Sequence, residues 1–153
     1  MTTSQRLFTQ AQRDLLTGVL NRIIPAEASL PGAGDLGVAE FVETWVSKDN
    51  QLRRRFNQGL AQIEITAAAQ GRGFLELSGP AQDVVLKQVE SEQPQFFDAL
   101  VLHTYNGYYT NPRVFQLIGY IQSAQAAQGQ PPELLDPLLL EKQRQRAPFW
   151  RQV

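Results

Sequence analysis

The sequence constrains its fold most through the spacing of its apolar residues, which is helical throughout the well-patterned part of the chain. Leu15, Leu16, Val19, Leu20, Ile23 and Ile24 recur at i, i+1, i+4, i+5, i+8 and i+9, the period of one helical face and not of a strand. Nothing alternates with period two over more than a few residues. Thr9 followed by Gln12 predicts a capping box at the start of this first helix, and Pro25 predicts its end, because the residue before a proline avoids the helical region. Residues 25–34 read as a proline–glycine loop.

Asp35 is a candidate N-cap for a second helix carrying Val38, Phe41, Val42, Trp45 and Val46, with Glu40 and Glu43 on its solvated side. Asp49 or Asn50 restarts the chain as a third helix with the stripe Leu52, Phe56, Leu60, Ile63 and Ala67, ended by Gly71 and Gly73. Phe74, Leu75 and Leu77 are expected to tuck the connection against the core. Ser78-Gly-Pro80 marks a fourth helix, with proline in its first turn, burying Val84, Val85, Leu86 and Val89. Gln93-Pro94 opens a fifth with Phe96, Phe97, Leu100, Val101, Thr104 and Tyr105. Pro112 precedes a short sixth segment holding Val114, Phe115, Leu117, Ile118, Tyr120 and Ile121. The expected fold is all-α: an irregular bundle of five or six main helices with an extended C-terminal tail. The domain spans 1–128, and a Pro/Leu/Gln-rich tail covers 129–153.

Composition removes whole classes of chemistry. The 153 residues hold no cysteine and one histidine, so thiolate nucleophiles, cysteine-ligated metals and any two-imidazole site are excluded from this chain. Fourteen Lys and Arg balance fifteen Asp and Glu, which gives no electrostatic reason to expect nucleic acid as a partner. No apolar run approaches the roughly 18 residues of a membrane span, so no transmembrane segment is expected. The N-terminus lacks a basic region followed by about seven or more apolar residues. As written, the chain is therefore expected in the cytoplasm. A removed leader, or an export signal carried by a partner, would place it in the periplasm.

The candidate sites are few. His103 lies on the fifth helix without a carboxylate at a helical offset, since Asp98 is five residues earlier. A general base needs an orienting partner, so the favoured reading is a half-buried histidine and not a catalytic or metal-binding one. Glu40 and Glu43 are spaced i, i+3 as in carboxylate metal sites, but the Glu-x-x-His element of such sites is missing. Gly32-Ala-Gly34 and Gly71-Arg-Gly73 lack a phosphate cradle's context and read as turns. Arg53-Arg54-Arg55 reads as a solvated face. No catalytic, cofactor-binding or metal-binding residue is assigned.

Tyr105-Asn106-Gly107-Tyr108-Tyr109-Thr110-Asn111-Pro112 is less ordinary. Tyrosine combines apolar area with a polar tip and suits interfaces. Asparagine and glycine tolerate positive φ and permit a sharp turn. The segment is either an interface or a helix C-terminus whose tyrosines cap the core. Tyr105, Tyr108, Tyr109, Asn111 and, in the tail, Trp150 are the candidate partner-interface residues.

Four segments taken in order resemble the small subunit (subunit 3, or γ) of gluconate 2-dehydrogenase and related flavin-dependent sugar dehydrogenases. They are Asn21-Arg-Ile-Ile-Pro25; Pro31-Gly-Ala-Gly-Asp-Leu-Gly-Val-Ala-Glu-Phe41; Gly59-Leu-Ala-Gln-Ile63 with Phe74-x-x-Leu77; and Phe96-Phe97 with Gly107-Tyr-Tyr-Thr-Asn-Pro112 and Gly119-Tyr120. The resemblance implies an accessory, non-catalytic role. In such complexes a large flavoprotein oxidises the sugar or sugar acid at its FAD, and electrons leave through a multihaem cytochrome c subunit. The small subunit carries no cofactor and supports maturation, stability or export of the flavoprotein. Members commonly carry a twin-arginine leader, which this sequence lacks. The alternative expectation is a stand-alone helical interaction module of the same fold, self-associating as a homo-oligomer or bound to another partner.

Overall fold

The computed structural model describes residues 7–119. The C-terminal tail, Trp150 included, lies outside the described residues. Six α-helices follow one another: α1 (Gln10–Ile23), α2 (Val38–Val46), α3 (Asn50–Ala68), α4 (Gly79–Glu92), α5 (Pro94–Tyr109) and α6 (Pro112–Leu117). A single 3-10 turn, Phe74–Glu76, joins α3 to α4. No strand occurs among the described residues, whose one β-bridge is the isolated pair Glu27–Leu30.

The helix ends follow their local chemistry. Thr9 and Gln12 form the reciprocal capping box of α1, satisfying two otherwise orphaned amides. Asp49 caps α3 by accepting from the Gln51 and Leu52 amides. Gly71, at φ +89°, turns the chain after α3, where a side chain would be strained. Prolines open α4, α5 and α6 in their first turns, where a missing N–H costs nothing.

The apolar stripes meet in one core. Leu16, Val19 and Leu20 of α1, Val42 and Val46 of α2, and Phe56 and Ile63 of α3 are fully buried, with Val85 and Val89 of α4 and Leu100 of α5. The long helices α3 and α5 lie at its centre, and each packs against α1, α2, α4 and the other. They touch closely because Gly59 leaves room for the Phe96 ring: a Cβ there would collide with it. Gly107 plays the same part between α5 and α2, where a Cβ would lie 2.7 Å from Val38 Cγ1 and 2.8 Å from Phe41 Cδ1.

Several local expectations are corrected. Asp35 does not cap α2; the N-cap is Gly37, at φ +73°. Asp35 instead accepts from Asn21 Nδ2 at 3.1 Å, because the loop folds back over α1 before α2 starts. Val84 and Leu75 are exposed, as the neighbouring Val85 and Phe74 take the inward positions. Glu43 is not on a solvated face. Its carboxylate accepts from the Phe8 amide at 3.0 Å and pairs with Arg13 at 3.4 Å, since the chain crosses α2 on its way into α1. Asn106 to Tyr109 form no turn: α5 runs on through them, and Gly107 serves helix packing there.

Candidate functional site

The loop after α1 is rigid at its base and exposed at its tip. Glu27 and Leu30 exchange both backbone hydrogen bonds, at 2.9 and 2.8 Å, around a two-residue turn in which Ala28 has φ +50°. Residues 25–29 are exposed. Behind the tip, the Gly34 amide donates to Asn21 Oδ1 at 2.8 Å and the Ala33 amide to the Ile24 carbonyl at 3.0 Å. A Cβ at Gly34 would collide with the Thr17 carbonyl oxygen, and one at Gly32 with Asn21 Oδ1. These glycines therefore let the loop lie flat on α1. The Tyr108 hydroxyl, reaching from α5, donates to the Pro31 carbonyl at 2.9 Å and fixes the other side.

The five candidate interface residues separate by position. Tyr108 is 2% exposed; its ring is core, and burial, with a smaller effect of Tyr109, pushes its phenol above the usual tyrosine range. Its side chain offers nothing to a partner. Asn111 is half-buried and caps α6 by accepting from the Arg113 amide at 2.9 Å. Tyr105 and Tyr109 are 44% and 47% exposed and stack at 5.9 Å with an interplanar angle of 24°. Tyr109 also meets Tyr108 edge-to-face at 5.2 Å. Tyr109 thus rests on the ring that holds the loop, and Tyr105 rests on Tyr109.

Tyr105 also lines a shallow groove of about 260 Å³ between α1, α4 and α5, with Ile23, Leu86, Phe97 and Val101 as its apolar lining. Phe97, Val101, Tyr105 and Tyr109 are spaced four apart, next to the buried row Phe96, Leu100, Thr104 and Tyr108. A helix with two such stripes has one in surplus over what its own core takes. That spacing was readable in the sequence; the part played by Ile23 and Leu86 was not, because it depends on how α1 and α4 approach α5.

One edge of the groove is held by Arg22 and Asp83, which pair through two hydrogen bonds of 2.9 and 2.7 Å. Arg22 lies in the last turn of α1, where its charge also opposes the helix dipole. The Arg22 hydrogen bonds hold the Asp83 carboxyl below its ordinary 3.8. The pair therefore adds stability that is complete above the unfolded-chain value and fades as pH falls below 3.8. Asp83→Asn should lower stability at pH 7 by about 0.5–1 kcal/mol, the range of a well-formed solvent-screened pair. Urea melts of both proteins should converge as the pH drops through the carboxylate range.

His103 is half-buried on the other side of α5. It stacks on Trp45 of α2 at 6.3 Å and 23°, and lies 6.4 Å from Phe56 of α3. No carboxylate orients its ring among the described residues, so the arrangement does not build a general base. Among the described residues, no cluster of three or more His, Asp and Glu side chains could hold a metal ion, and no helix is long and apolar enough to cross a membrane.

Residues 10–122 match the family described as gluconate 2-dehydrogenase subunit 3. The chain belongs to that family. No curated protein and no solved structure matches it. The segments that carry the family resemblance are far apart in sequence and joined in space: Asn21 holds Gly34, Tyr108 holds Pro31, and Gly107 seats Val38 and Phe41. The family is that of a subunit of an oxidoreductase complex.

Proposed function

We propose that this gluconate 2-dehydrogenase subunit 3 protein is a non-catalytic accessory chain that binds the large flavoprotein of a sugar or sugar-acid dehydrogenase and supports its maturation or stability. In this reading FAD resides in the flavoprotein and haem in a cytochrome c subunit, and this chain holds neither. Its place is where the flavoprotein matures, with the periplasm as destination if the partner carries the export signal.

The observation that carries the reading is the surface stripe of α5. The helix has sixteen residues, with Asp98 its one acid and neither Lys nor Arg. Yet it leaves Tyr105 and Tyr109 exposed beside an apolar groove. Interface centres are poor in charge and rich in tyrosine, and a few such aromatics commonly dominate binding.

Co-expression with the FAD-containing large subunit encoded in the same genome tests it. The wild-type chain should co-purify with the flavoprotein and raise its yield and FAD content. Tyr105→Ser with Tyr109→Ser should weaken co-purification by about tenfold or more, as loss of two anchoring aromatics does, while the isolated chain keeps its helical circular dichroism. Undiminished binding by the double variant would move the interface elsewhere. A stable homodimer that buries the tyrosines, with no flavoprotein binding, would favour the self-associating module.

A further inference from the structure

We propose that the Trp45–His103 stack is a proton-operated latch between α2 and α5, closed while the imidazole is neutral and opened when it takes a proton. The geometry is that of a contact made for a neutral ring. Trp45 projects from α2, His103 from α5 and Phe56 from α3, so that the imidazole stacks on the indole and has the Phe56 ring beside it, tilted by 58°. Among the described residues no hydrogen bond reaches either ring nitrogen. An imidazolium has two N–H donors to satisfy and a charge to solvate, and these rings supply partners for neither donor.

The charged groups nearby do not compensate. Beyond the end of α2, Lys48 already places its ammonium 4.3 Å from the centre of the Trp45 ring. Asp49 spends its carboxylate on the first amides of α3. The charged residue one turn before Phe56 on α3 is Arg53, another cation. Along α5, the residues three and four away from His103 are Ala99, Leu100, Asn106 and Gly107, all uncharged, and Asp98, five residues earlier, falls on another face of the helix. Burial alone acts on the imidazole, and it lowers its proton affinity. A proton on His103 would therefore give one indole two cations within about one Debye length of each other. His103 is only half-buried, so its ring can swing into water and release Trp45.

The direction of the pH effect follows. Well above 6.5 the ring is neutral in both folded and unfolded chains. As pH falls below that value, the unfolded chain takes up a proton that the latched fold resists, and the stability given by the closed latch declines. The latch thus loosens the end of α2 in mild acid, on the side of α5 away from the tyrosine stripe.

The full chain carrying Trp150→Phe leaves Trp45 as the single tryptophan, whose emission is excited selectively at the red edge of the absorption band, and NMR follows the imidazole directly. Between pH 7.5 and 5.0, Trp45 emission should shift to the red, and amides at the end of α2, corrected for intrinsic rates, should exchange about fivefold faster or more. Both changes should track a His103 midpoint below 6.5. His103→Gln should abolish the pH dependence. A fall in intensity without red shift or faster exchange would mean that the imidazolium stays stacked, which overturns the latch. A pH response that survives His103→Gln, or a His103 midpoint at or above 6.5, overturns it equally.

Discussion

Phe56→Ala should cost about 3–5 kcal/mol of unfolding free energy, the range for deleting a buried aromatic ring. Phe56 is fully buried within α3, where three other rings converge on its own. It meets Phe96 of α5 edge-to-face at 5.3 Å and 84°, lies 6.5 Å from Phe8 before α1, and faces His103. The void cannot close cheaply, because Phe96 is already seated against Gly59 and would need to leave that seat to fill it. Phe56→Leu, which keeps most of the volume, should cost about half as much or less. Urea unfolding followed by circular dichroism measures both. A loss under about 1.5 kcal/mol for the alanine variant would mean that the Phe8, Phe56 and Phe96 rings do not form one packed cluster.

The helices were legible because each signal needed only neighbouring residues. Thr9 and Gln12 speak for one turn, Asp49 for another, and the stripe from Leu52 to Ala67 for about four. The errors arose where distant chain segments compete for a residue. Asp35 looks like a cap until Asn21, fourteen positions earlier, takes its carboxylate. Glu43 looks solvated until the Phe8 amide arrives from thirty-five residues away. The tyrosine segment shows the same limit for the site. Sequence marks Tyr105, Tyr108 and Tyr109 alike as interface types, yet a helix of 3.6 residues per turn rotates them apart. Only the reach of the Tyr108 hydroxyl to Pro31 decides which ring is spent on the fold. The glycines mislead in a related way: Gly107 reads as a turn former, but its missing Cβ is what brings α5 against α2.

Gly34→Ala should be the most damaging of the loop substitutions, at about 2–4 kcal/mol from overpacking and lost hydrogen bonds together. The cause is steric and not conformational. Gly34 is not among the positive-φ glycines, so alanine suits its backbone. Its added methyl, however, would run into the Thr17 carbonyl oxygen and approach Asn21 Cγ and Nδ2 at 2.8 and 2.9 Å. The carbonyl belongs to the interior of α1 and cannot retreat without breaking the helix, so the loop must lift instead. Lifting breaks Gly34 to Asn21 and Asn21 to Asp35, and it strains the Tyr108 bond to Pro31 that seats the exposed tyrosines. Gly32 offers the contrast. There the colliding atom is the far end of the Asn21 side chain, with the Ala26 amide nitrogen at a tight but tolerable 3.3 Å. Shortening Asn21 should therefore separate the two sites. In an Asn21→Ala background, Gly32→Ala should lose most of its penalty, while Gly34→Ala should keep most of its own. Thermal unfolding of the four single and double variants against Asn21→Ala reads the difference directly. Equal rescue at both positions would show that the side chain, and not the α1 backbone, holds the loop at its distance. If the loop helps to present the tyrosine face, Gly34→Ala should also weaken flavoprotein binding even at temperatures where the bundle remains folded.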